Sequence, residues 1–189
     1  MTTAVEGQMN FPESFDRRLI DNAPAPALYG IRRFIVEFLF FGIKEARACL
    51  FAGLFFVSIF FVPRDGLLGL PRYDLLLVIA LVIQLAMVWT KLETVDELKA
   101  ICLFHLVGFV LEVFKTSGSI QSWSYPDFAY TKLFGVPLFS GFMYAAVGSY
   151  IIQAWRLFDI RIRHHPPYWM ATGVALAIYL NFFTHHYIG

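Results

Sequence analysis

The chain has 189 residues, of which 58% are hydrophobic and 15% charged, with 21 Phe and a formal net charge of +1. Soluble domains carry roughly a quarter charged residues, and one of this size has too little interior to hide so much apolar surface. Composition therefore argues against an ordinary soluble domain, and near-neutral charge offers nothing to nucleic acid; the expected partner is the lipid bilayer.

Residues 1–28, including "FPESFDRRLIDNAPAPALYG", are polar and punctuated by proline. They read as a cytoplasmic N-terminal tail, without the apolar core of a secretory signal. Residues 29–189 read as one transmembrane helical domain. Within it, 31–45 is apolar but carries Glu37, Lys44 and Glu45, which suits a helix lying in the membrane interface. A spanning helix needs about 20 mostly apolar residues. Five spans are expected, at about 46–63, 73–91, 97–115, 136–156 and 167–187. The fold class is therefore all-α, a polytopic transmembrane helix bundle. Helices are required because unpaired backbone groups are prohibitive in lipid. Cys49 and Cys102 fall inside apolar runs and read as buried, space-filling free thiols.

Lys and Arg set the orientation. With the N-terminus inside, 11 of the 15 basic residues lie on cytoplasmic segments. Only Arg64, Arg72, Lys115 and Lys132 fall outside. That bias predicts a cytoplasmic N-terminus in a bacterial inner membrane. The sequence stops at "NFFTHHYIG", directly after a span, so the bundle is expected to be part of a longer one.

Topology then sorts the polar residues by depth. His105 lies mid-span, and Glu112 follows it by two helical turns on the same face. Lys115 is three residues beyond Glu112, within pairing distance. The loop after span three carries Trp123 and Tyr125, and span five brings Asn181, His185 and His186 to the same level. Together these eight residues form the candidate binding pocket, with Glu112 the candidate catalytic acid. An ionisable group inside a span marks a functional site by default, because it is costly there. The competing reading makes Lys115 a snorkelling side chain with Glu112 as its counter-ion, and Trp123 and Tyr125 part of the aromatic belt.

No metal and no cofactor are expected. His164-His165 and His185-His186 fall on opposite sides of the membrane, about 30 Å apart, too far to share a cluster. A single ion between Glu112, His185 and His186 is geometrically open, but its remaining ligands have no source in the sequence. Asp96 and Glu97, in "VDELK", read as a helix start whose acids complement the dipole.

Gly141, Ala145, Gly148 and Ser149 form a small-residue stripe on span four, a surface for close helix approach. It suits packing within the bundle, a partner helix or a homo-oligomer. Tyr144 and Tyr150 are expected to hydrogen-bond between helices.

The strings "DELKAICLFHLVGFVLEVFK", "GSIQSWSYP", "GVPLFSGFMYAAVGSYIIQAWR" and "NFFTHH" resemble the bacterial membrane family known as domain of unknown function 817. The resemblance implies a polytopic inner-membrane protein whose members continue with further spans. It implies no activity and no catalytic residues. Three functions are compatible with these residues: a transporter-like protein with an outward-facing polar pocket, a membrane enzyme acting on a lipid or isoprenoid, and a structural or assembly partner.

Overall fold

The computed structural model describes Asp16, Leu19, Ile20 and residues 29–183. Six α-helices dominate this part of the chain: α1 (Gly30–Ala48), α2 (Leu50–Phe61), α3 (Arg72–Trp89), α4 (Val95–Thr116), α5 (Gly141–Leu157) and α6 (Tyr168–Phe183). A two-stranded hairpin, β1 (Lys132–Leu133) and β2 (Val136–Pro137), and a 3₁₀ turn at Leu138–Ser140 precede α5.

Local sequence explains where these elements begin and end. Thr94 and Glu97 form a capping box on α4. The Glu97 amide donates to Thr94 Oγ1 at 3.2 Å, and the Thr94 amide donates to Glu97 Oε2 at 2.7 Å. Two of the amides that a helix start leaves open are thereby satisfied. At the other end of α4, Lys115 sits in the last turn, where a cation complements the dipole. The β-hairpin turns on Phe134 (φ 53°) and Gly135 (φ 79°), two successive positive φ angles. That is the two-residue turn whose twist matches its strands, and Gly135 adopts it without strain.

The helices pack as an antiparallel set around α4 and α5, the most extensively packed pair. Small residues permit the close contact. A Cβ on Gly141 would lie 2.7 Å from His105 Nδ1, and one on Gly148 would lie 2.6 Å from the Phe104 ring. A Cβ on Gly108 of α4 would overlap the Tyr144 ring. The stripe Gly141, Ala145, Gly148 and Ser149 thus packs within this chain, and α4 covers its glycines. Beneath it, Phe51 and Phe55 of α2 meet Phe142 with ring centroids 6.3 Å apart. Leu76, Ala80, Met87 and Ile101 complete the core.

Several boundaries differ from the expectation. Span one, expected over 46–63, is divided: α1 stops at Ala48, and Cys49 (φ −80°, ψ 3°) separates it from α2. α2 has 12 residues, about 18 Å of helix, shorter than a hydrocarbon core. Span four, expected from residue 136, begins as α5 only at Gly141, because 136–140 are used by the hairpin and the 3₁₀ turn. Span two, expected over 73–91, is α3. Among the described residues α3 alone is long and apolar enough to cross a membrane, while α2 and α6 are shorter apolar helices. The thiols are free, but Cys49 is half-buried and Cys102 exposed, not buried as expected. The expected polar tail is not detached at Asp16, which is buried against the bundle.

Candidate functional site

Glu112 is 1% exposed and is the centre of a compact polar cluster at the end of the bundle that carries the 117–131 loop. Each carboxylate oxygen accepts two donors. Oε1 pairs with Lys115 Nζ at 2.5 Å and accepts the Tyr144 hydroxyl at 3.0 Å. Oε2 accepts Trp123 Nε1 at 3.0 Å and the Tyr125 hydroxyl at 2.8 Å. Lys115, 3% exposed, also donates to the Tyr144 hydroxyl and lies over the Trp123 ring, 4.1 Å from its centroid. A cation held over an indole face gains from the ring quadrupole, most of all when water is excluded. Burial, and then the bond to Glu112, push the Tyr125 hydroxyl well above its ordinary range, so it stays a donor.

Helix geometry and two anchors hold this cluster together. The three-residue spacing on α4 stacks Glu112 and Lys115 on one face. The loop folds back because the Ser122 amide donates to Lys115 O at 2.9 Å. Farther on, Asp74 of α3 accepts the Tyr130 and Thr131 amides at 2.8 and 2.9 Å and the Thr131 hydroxyl at 2.5 Å. Lys132 Nζ donates to Tyr125 O at 2.6 Å. Beside the cluster lies a cavity of about 480 Å³, lined by Phe56, Glu112, Lys115, Trp123, Met143, Tyr144 and Val147.

Four of the eight candidate residues therefore meet: Glu112, Lys115, Trp123 and Tyr125. His105 does not join them; it packs against Phe142, 4.5 Å between ring centroids, and lines a different cavity. Asn181 is half-buried near the end of α6. His185 and His186 lie outside the described residues. Tyr144 and Tyr179 of α6, whose hydroxyls are neighbours, were not among the eight. Tyr144 bonds between helices as expected, and so does Tyr150, whose hydroxyl donates to Glu45 Oε2 at 3.3 Å. Among the described residues, no group of three or more His, Cys, Asp or Glu is arranged to hold a metal.

A second polar cluster, missed in the sequence, occupies the opposite end of the bundle near the 90–94 turn. Arg47 grips Asp16 with two bonds, of 3.0 and 2.9 Å. Arg156 reaches Asp16 and Glu97, each at 2.7 Å. Both arginines donate to Leu92 O. Alongside them, the buried Glu93 accepts Ser149 Oγ at 2.6 Å, Gln153 Nε2 at 3.4 Å and Gln84 Nε2. Desolvation holds the Glu93 carboxyl above the usual range, against the opposing pull of the Ser149 and Gln84 bonds. The two arginines pair with two acids, Asp16 and Glu97. The usable sequence signal was Gln84, a lone amide in the apolar run of α3 beyond its first turn.

Residues 37–189 match the family described as "Protein of unknown function (DUF817)". Over 155 residues the chain is 50% identical to the uncharacterized protein YoaT of Bacillus subtilis (strain 168), covering 82% of this chain and 58% of that protein. The chain thus spans less than two thirds of that relative's length. No solved structure matches it. On the extent of the family match, with both ends of the α4–α5 pair inside it, the chain belongs to the DUF817 family.

Proposed function

We propose that this chain is a multi-pass protein of the bacterial inner membrane, with a cytoplasmic N-terminus and five membrane-inserted segments. In this reading, the pocket beside Glu112 and Lys115 takes a polar solute from the outer side in a transporter-like role. The membrane setting is supported by the apolar side chains that the helices turn outward, including Phe60, Leu85, Leu106, Val110 and Ile178. Soluble monomers rarely expose apolar area on this scale.

The observation that carries the functional reading is a buried ion pair lining a cavity of about 480 Å³. Buried charge is expensive in an apolar bundle and marks solute and ion pathways. The pair is neutral as a unit, so a solute bearing an anionic group can compete for Lys115, while Trp123, Tyr125 and Tyr144 go on donating to the Glu112 carboxylate.

The enzyme reading, with Glu112 as general acid on a lipid or isoprenoid, has less support. Four donors already saturate the carboxylate, leaving no lone pair directed at a substrate. The assembly reading loses its proposed surface, because the glycines of the α5 stripe are packed against α4.

Two measurements test the proposal. Wild type and Lys115→Met are reconstituted into proteoliposomes and compared for uptake across a broad panel of charged and zwitterionic solutes. At least one solute is expected to enter with wild type and to lose most of its flux in the variant; identical flux throughout refutes the reading. Topology is tested in intact cells with a membrane-impermeant maleimide: Ser119→Cys should react and His164→Cys should not. The reverse pattern overturns the orientation.

A further inference from the structure

The segment between α2 and α3 makes two tight turns that neither polar cluster uses. Arg64 and Asp65 are the central residues of the first, closed by the Gly66 amide donating to Pro63 O at 3.1 Å. Leu68 (φ 55°) and Gly69 (φ 77°) are those of the second, closed by Leu67 and Leu70 exchanging bonds of 3.1 and 3.0 Å. A Cβ on Gly66 would lie 2.0 Å from Leu70 O, so only glycine lets the two turns approach this closely. Together with Arg72, Asp127 and Phe128 they enclose a cleft of about 390 Å³, within the range of small-ligand sites. Asp127 belongs to the 117–131 loop, so the cleft lies at the same end of the bundle as Glu112. It shares no lining residue with the pocket beside Glu112.

Two guanidinium groups and two carboxylates thus line one opening. Arg64 and Asp65 are exposed, and among the described residues their side chains make no hydrogen bond or ion pair. Asp127 is exposed, with its carboxylate beside the Tyr73 hydroxyl. Arg72 is half-buried and held in place, its Nη2 donating to Ile59 O of α2 at 2.7 Å. A guanidinium fork matches the geometry of a phosphate. An anion alone would also meet the two acids, and a cation alone the two arginines, whereas a group carrying both signs finds a partner for each. The apolar neighbours indicate the rest of the ligand. Leu68 is 90% exposed although a positive φ is costly for a leucine, and Phe60, Phe61 and Phe128 are exposed as well. A leucine held outward at such a cost suits contact with acyl chains, not with water. In the membrane setting proposed above, on which this step rests, the 64–72 segment lies at the outer surface of the bilayer. We propose that the cleft holds the headgroup of a zwitterionic phospholipid, its phosphate on Arg64 and Arg72 and its ammonium on Asp65 and Asp127.

The test uses the full chain in detergent, with lipid binding read by native mass spectrometry. Dioleoyl phosphatidylethanolamine is expected to bind about tenfold more tightly than dioleoylglycerol, which lacks the phosphate, or dioleoyl phosphatidylglycerol, which lacks the ammonium. O-phosphoethanolamine, the same headgroup without tails, should bind far more weakly. Equal binding would make the ligand a soluble phosphate ester and overturn the lipid assignment. Arg64→Gln should weaken phosphatidylethanolamine binding about tenfold. Asp65→Asn should let phosphatidylglycerol bind as well as phosphatidylethanolamine. Both side chains are exposed and otherwise unengaged, so both variants should keep the wild-type unfolding midpoint. Lys115→Met should leave lipid binding unchanged, so this site and the solute pocket can fail independently. Equal binding of all three lipids would overturn the proposal, as would wild-type binding by Arg64→Gln.

Discussion

The two ends of the α4–α5 pair solve the same problem differently. Each buries several charges in an apolar bundle, about 22 Å apart by the 15 residues of helix between Glu97 and Glu112. At the 117–131 end, one acid and one lysine are enclosed by three aromatic side chains, all reached within a 33-residue stretch of chain. At the 90–94 end, two arginines tie together acids from distant segments, Asp16 and Glu97, while the neighbouring Glu93 is held by Ser149, Gln153 and Gln84. The first arrangement borders a cavity and keeps its charges beside open space. The second joins segments that lie far apart in the chain.

Substitutions can break or sharpen that contrast. The largest effect is expected for Arg156→Met, which strands Asp16 and Glu97 without one of their cations. A loss of about 3–5 kcal/mol is expected, read as the unfolding midpoint in detergent. Next comes Glu112→Gln, which keeps the shape but removes the carboxylate charge opposite Lys115. A loss of about 2–3 kcal/mol is expected. Adding Lys115→Met should restore part of it, so a double-mutant cycle with no coupling would show the pair to be inert. Gly108→Ala should cost about 1–3 kcal/mol by overpacking against Tyr144, and should weaken the Glu112 cluster while sparing the Arg156 one. Loss of near-ultraviolet dichroism with an unchanged helix signal would record that displacement. Thr94→Ala removes the cap from α4 and should cost about 1 kcal/mol, checked by thermal melting.

The smallest expected effect is in pH dependence. Burial raises the Glu93 carboxyl, so the folded chain holds its proton where the unfolded chain has released it. That contribution is complete below the ordinary glutamate range and is lost as pH rises through the raised value. Stability should therefore decline over this window in wild type and stay flatter in Glu93→Gln. Parallel curves would show that Glu93 does not set the slope.

How much of this was legible depended on sequence distance. α3 and α4 were readable from their apolar runs, and Glu112 with Lys115 from a three-residue spacing. Trp123 and Tyr125 followed because the loop directly continues α4. The Arg47–Asp16 and Arg156–Asp16 pairs lie 31 and 140 residues apart, and no local pattern connects them. Both arginines were counted as flanking charges that set orientation; in the fold both are buried and internally paired. The hairpin was hidden because Phe134 is a poor residue for a positive φ, leaving Gly135 as the sole hint. Tyr144 was expected to bond between helices and does so; what the sequence did not reveal is that its partners are Lys115 and Glu112.

The Asp74 carboxylate has a wider reach than one loop contact. It stitches Tyr130 and Thr131 to the top of α3, while Trp123 and Tyr125 are stitched to α4. A strap fastened at both ends does not lift from one side alone: for the segment to swing away, the bonds to Asp74 and those to Glu112 must all be given up together.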